Sequence, residues 1–141
     1  MRKVFVYGTL KSGYGNNLLL QNSKLIEAEA YAVDWRLYSL WGNAFPVAVP
    51  TELRKSGELT HLIKGEVYEV DRMTSYRLDR LEGYPNFYSK KEIRYCNSEL
   101  DLLGSADIYN IENVEDIGFE FSVMSEHCTR FSDYLIWSWA R

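Results

Sequence analysis

Two places in the 141-residue chain combine residue types that could do chemistry, and they lie far apart. The first is Tyr7-Gly8-Thr9-Leu10, where an apolar run ends in a glycine turn followed by a hydroxyl. Free amides at a strand end can bind a carboxylate or an oxyanion, and glycine lets the backbone approach a ligand closely. The second is Glu82, which is followed by Gly83 and Pro85. A carboxylate at a helix C-terminus faces the negative end of the macrodipole, and the apolar atoms of Leu81, Tyr84, Pro85 and Phe87 are placed to desolvate it. Both effects raise its pKa, the direction a general acid/base near neutral pH requires.

The other candidates are weaker. Gly8 and Gly13 have the spacing of a phosphate-binding loop, but Tyr14 stands where that loop needs lysine. His61 and His127 are the only histidines and lack further ligands at metal-binding spacing, so no metal is expected. Cys96 and Cys128 are not spaced as a redox or metal pair and read as two free thiols. Tyr88 and Tyr109 fall on predicted strands, where the default is packing, although either could turn a phenol toward a pocket.

Composition narrows the function classes. A formal charge of −4, from 16 basic and 20 acidic residues, gives no electrostatic footprint for a nucleic acid backbone. Aromatic residues make up 15% of the chain, which suits a β-rich core or a ring-lined pocket. No run approaches the roughly 18 apolar residues of a membrane span. The basic start at Met1-Arg2-Lys3 is followed by an apolar stretch that breaks at Gly8, without a cleavage site. The expectation is one soluble, cytoplasmic domain over residues 1–141, a monomer or weak homodimer, without nucleic acid or membrane partners.

These residues must be positioned by short elements, because turn signals are frequent. Residues 4–7 read as a strand buried on both faces. Residues 13–17 form a turn cluster, and Asn16 or Asn17 is placed to cap a brief helix carrying Leu18, Leu19 and Leu20. One long strand is expected over 28–40, a turn at Gly42-Asn43, a short strand over 45–50 and a surface loop over 52–62. A strand over 63–70 leads to Asp71, an N-cap for a helix over 72–81 that Gly83 ends in a left-handed cap. Strands follow at 88–95 and 106–111 around a polar loop at 97–104. The apolar tail over 131–139 reads as a packed helix. The pattern is α+β: a mostly antiparallel sheet curled toward a small β-barrel, with a few flanking helices.

Three blocks together resemble a known family. Val4-Phe5-Val6-Tyr7-Gly8-Thr9-Leu10-Lys11-Ser12-Gly13, then Gly65-Glu66-Val67-Tyr68-Glu69-Val70-Asp71, then Leu78-Asp79-Arg80-Leu81-Glu82-Gly83-Tyr84-Pro85 with Tyr88, are similar in order and spacing to the γ-glutamylcyclotransferase superfamily. The nearest branch contains γ-glutamylamine cyclotransferase and the avirulence-induced-gene-like proteins. The resemblance implies a small barrel with a substrate cavity at one end and no cofactor. It assigns the acid/base role to Glu82 and substrate binding to Tyr7, Gly8, Thr9 and Leu10, with Tyr88 as a further substrate contact. The implied reaction releases 5-oxoproline and an amine or peptide from an L-γ-glutamyl compound by intramolecular aminolysis. The alternative is a small-ligand-binding domain of the same fold without catalysis.

Overall fold

The computed structural model describes residues 1–40, 45–51, 59–111, 121–123 and 128–139. In chain order the elements are β1 (Arg2–Val6), a 3-10 helix (Gly15–Leu20), β2 (Lys24–Val33), β3 (Trp35–Leu40), β4 (Phe45–Pro50) and β5 (Thr60–Val70). Then come α1 (Arg72–Leu81), β6 (Ser89–Cys96), β7 (Leu102–Asn110), β8 (Phe121–Val123), β9 (Cys128–Phe131) and β10 (Tyr134–Trp137). Gly42-Asn43, most of the expected 52–62 loop and His127 lie outside the described residues.

Five strands close a barrel in the order β1-β7-β6-β2-β5, with β5 returning to β1. All its pairs are antiparallel except β1 with β7, where Val4 faces Asp107 and Phe5 faces Ile108. The β9–β10 hairpin extends the sheet, β10 running parallel to β5. A separate three-stranded sheet has the order β4-β3-β8.

The apolar start of the chain is explained by this closure. Phe5 and Tyr7 join a core drawn from all five barrel strands, with Ala30, Ile63, Val67, Ile93 and Ile108. Val4 and Val6 join a second core on the outer face, under Leu20, Val47, Leu78 and Tyr88. Side chains alternate across a strand, so a strand between two cores must be apolar at every position. Helix α1 contributes Leu78 to this outer core, while Met73, Tyr76 and Leu81 stay exposed. Asp71 accepts from the Thr74 amide at 2.7 Å, which stabilises the first turn and lowers the pKa of its carboxyl.

Several expectations are corrected. The run over 28–40 is two strands in different sheets, because Asp34 adopts φ +67°, a left-handed conformation that a short polar side chain tolerates. The brief helix is 3-10 and starts after Tyr14 without a side-chain cap; Asn16 and Asn17 lie inside it and bond elsewhere. Strand β5 begins at Thr60 and β7 at Leu102, so both predicted loops end earlier than expected. The tail is a β-hairpin turning at Ser132-Asp133, not a helix: its alternate residues Trp137 and Trp139 reach the core while Phe131 stays exposed.

Candidate active site

The end of α1 is fixed by backbone hydrogen bonds. Gly83 has φ +65°; its amide donates to the Arg80 carbonyl at 3.3 Å, and that of Tyr84 donates to the Asp79 carbonyl at 2.9 Å. This pair of bonds satisfies carbonyls that the helix leaves open. Glu82, just before the glycine, donates its amide to the Leu78 carbonyl at 3.0 Å, and its own carbonyl receives the Tyr88 amide at 3.4 Å. Its backbone is thus held from both sides. Gly83→Ala would place a methyl group 3.1 Å from Phe87 Cβ at a φ that L-residues avoid. We expect a loss of roughly 1–2 kcal/mol in a denaturant titration, together with lower activity because Glu82 is re-aimed.

Glu82 shares a narrow recess of about 50 Å³ with the end of β1. The lining is Phe5, Val6, Tyr7, Gly8, Thr9, Leu10, Pro46, Tyr88 and Tyr109, so Glu82 is the only carboxylate among them. The three expected parts, the 7–10 segment, Glu82 and Tyr88, are therefore brought together. Desolvation raises the Glu82 carboxyl from 4.5 to about 7, and no described residue hydrogen-bonds its oxygens. A larger groove of about 590 Å³ runs beside Arg2, Arg72, Ser75 and Tyr76. Its carboxylates are engaged, Asp71 as the helix cap and Asp79 with Lys90, so the smaller recess holds the more reactive group.

The phenols around Glu82 have their protons committed. Tyr7 Oη donates to the Tyr109 carbonyl at 2.7 Å and accepts from the Ala48 amide at 3.1 Å. Tyr88 Oη donates to the Pro46 carbonyl at 3.1 Å. Tyr109 Oη donates to Asp79 Oδ1 at 2.6 Å, and Lys90 Nζ holds the same carboxylate at 2.9 Å. Burial raises all three phenol pKa values, so these protons stay in place near neutrality. What Tyr88 and Tyr109 offer the recess is oxygen lone pairs.

The 8–10 segment of the lining carries donors. The amides of Gly8, Thr9 and Leu10 have no acceptor among the described residues, and the Gly8 carbonyl accepts from the Lys11 amide at 3.0 Å. Thr9 Oγ1 accepts from Asn16 Nδ2 at 2.8 Å, which leaves its own proton for a ligand. Gly8 meets Pro46 here: a Cβ would stand 2.8 Å from Pro46 Cγ, so the close approach is to the facing strand.

Pro46, Asp79 and Lys90 were not among the expected site residues. Asp79 sits three residues before Glu82, and i, i+3 positions share a helix face, which is the one sequence signal that could have found it. Pro46 and Lys90 come from strands whose register the sequence does not specify.

Comparison with known proteins places the chain in a family. A curated relative from Methanocaldococcus jannaschii, provisionally named a gamma-glutamylcyclotransferase, is 38% identical over 66% of this chain and 71% of its own. The gamma-glutamylaminecyclotransferase of Rattus norvegicus is 31% identical over 67% of this chain and 63% of its own. The gamma-L-glutamyl-butirosin B gamma-glutamyl cyclotransferase of Niallia circulans is 28% identical over 95% of this chain and 76% of its own. Among solved structures, the AIG2-like protein of Mus musculus superposes with a TM-score of 0.62 over 89% of this chain and 90% of its own at 23% identity, a likeness of fold. The sequence profile of the family described as "Gamma-glutamyl cyclotransferase, AIG2-like" matches residues 4–127, and the chain belongs to that family.

Proposed function

We propose that this protein is a γ-glutamyl cyclotransferase that releases 5-oxoproline from an L-γ-glutamyl compound, with Glu82 as its acid/base. The observation that carries this reading is the polarity of the recess. Its lining combines the 8–10 segment, whose amides have no acceptor among the described residues, with Glu82 and with Tyr88 and Tyr109, whose phenol protons are committed elsewhere. A zwitterionic α-amino-acid head fits that polarity, its carboxylate on the amides and its ammonium beside Glu82. The recess has room for about three to five waters, so it accommodates the head and leaves the departing amine at the mouth.

The chemistry follows from this orientation. Ionised Glu82 takes a proton from the α-ammonium, and the freed amine attacks the side-chain carbonyl of the same molecule. The new C–N bond closes a five-membered ring. Protonated Glu82 then delivers a proton to the departing nitrogen, whose bond to the carbonyl carbon breaks, and the extra proton left on the ring nitrogen passes by way of the Glu82 carboxylate to the released amine. Because nucleophile and electrophile belong to one molecule, holding the chain in a near-attack geometry supplies much of the acceleration. No step needs a metal or cofactor.

A carboxyl raised to about 7 must be ionised to act as base, so kcat/KM should rise with pH through that value. The direct test is a mass-spectrometric assay for 5-oxoproline across γ-glutamyl amines, γ-glutamyl amino acids, glutathione and γ-glutamyl aminoglycosides. Release from at least one class is expected. If none yields product, the cyclotransferase reading is wrong.

A further inference from the structure

The donor segment is held from behind by side chains that do not line the recess. Asn17 Nδ2 donates to the Leu10 carbonyl at 2.8 Å and to Tyr68 Oη at 3.1 Å. Asn16 Nδ2 donates to Thr9 Oγ1 at 2.8 Å. Further along, Glu66 Oε1 accepts from the Ser12 amide at 2.9 Å, from Ser12 Oγ at 3.2 Å and from Tyr68 Oη at 3.0 Å. Asparagine at the start of a helix is usually explained by capping, yet this 3-10 helix has no side-chain cap. Both asparagine amides reach back to the turn instead.

Peptide planarity turns these bonds into orientation. The Leu10–Lys11 peptide is pinned at both polar atoms, its carbonyl by Asn17 and its N–H by the Gly8 carbonyl. The Gly8 carbonyl, once engaged, fixes the plane that also carries the Thr9 N–H, because the two groups point oppositely across a trans peptide. The Thr9 hydroxyl, accepting from Asn16, keeps its proton for the recess. Donors set before the ligand arrives need no reorganisation when it binds.

We infer that Asn16 and Asn17 are positioning residues of this site: they anchor the 8–12 turn against β5 so that its donors are preset for the substrate carboxylate. The inference deepens the cyclotransferase reading and rests on it. Asn17→Asp keeps the side chain's shape, removes both N–H donors and sets a negative charge against the Leu10 carbonyl.

The test combines kinetics with amide hydrogen exchange on the intact chain. In Asn17→Asp, kcat/KM should fall by roughly 10- to 100-fold through a rise in KM, with the inflection near pH 7 unchanged. Exchange at the Lys11 and Ser12 amides should quicken by about tenfold or more, because their bonds depend on the anchored turn. Asn16→Ala should move both readouts the same way, and it serves if Asn17→Asp does not fold. Leu18→Ala, on the exposed face of the same helix, should move neither. Unchanged exchange in the asparagine variants, or faster exchange with an unchanged KM, overturns the inference. If the wild type forms 5-oxoproline from no γ-glutamyl compound, the cyclotransferase reading falls, and the carboxylate role of the turn falls with it. The exchange data then decide the anchoring alone.

Discussion

Replacing Glu82 by glutamine should lower 5-oxoproline release by about 10²- to 10⁴-fold, the usual contribution of a positioned acid/base, while making the folded protein more stable at pH 8. The two effects have one cause. The recess desolvates the Glu82 carboxyl and raises it from 4.5 to about 7. Burial costs nothing while the group is protonated, so at pH 4.5 and below the wild type and Glu82→Gln should unfold at similar denaturant concentrations. Between 4.5 and 7 the folded state binds more protons than the unfolded one, and stability falls as pH rises. Above 7 the full penalty stands, roughly 2–3 kcal/mol after allowance for the partial exposure of the residue. Denaturant titrations of both proteins at pH 4.5, 6 and 8 measure the difference directly. Equal stability at all three values would mean that the carboxyl is not desolvated, and a neutral-pH base would lose its physical support.

The second large effect should come from the C-terminal segment. Trp139 is fully buried in the barrel core, its ring 5.2 Å from that of Tyr14, whereas Phe131 at the far end of the hairpin is 70% exposed. Trp139→Ala should cost about 3–5 kcal/mol through lost transfer energy and the cavity left behind. For a chain of this length that is a fall of roughly 10–15 °C in Tm, while Phe131→Ala should shift it by no more than a degree or two. Calorimetry of the two variants separates the structure's hairpin from the helix expected over 131–139. Two variants with similar Tm would mean that Trp139 is not in the core. The Trp139 carbonyl also accepts from Lys11 Nζ at 2.6 Å, so the tail touches the residue just after the donor segment. Trp139→Ala should therefore lower activity as well as stability.

How far the sequence alone reached depended on the range of the interactions involved. Asp71 and Gly83 mark the two ends of helix α1 because capping is decided within a few residues. The buried first strand was equally legible, since Val4 to Tyr7 offer no polar face. The C-terminal hairpin was not, because Ser132-Asp133 makes a turn without glycine or proline and the flanking residues are dense enough in apolar groups to pass for a helix. The bend at Asp34 depends on one left-handed residue inside an otherwise strand-like run. In the site, local physics could raise the Glu82 pKa but could not bring it beside Gly8. That pairing came from family resemblance, and the barrel closure that produces it is long-range. The Tyr109–Asp79–Lys90 chain escaped notice for the same reason, as each member lies on a different element.

The parallel pairing of β1 with β7 also sets an order of events during synthesis. Val4 and Phe5 leave the ribosome about a hundred residues ahead of their partners Asp107 and Ile108. At cellular elongation rates of about 5–20 residues per second, that is a delay of roughly 5–20 s. Pairing with β5 is available sooner, Val6 opposite Glu66, so an open sheet can form before the barrel closes. The bond from Tyr7 Oη to the Tyr109 carbonyl then joins the donor segment to the last barrel strand. The nascent chain therefore carries an apolar strand that is unpaired on one edge for seconds, and the recess beside Glu82 is completed only after Tyr109 has emerged.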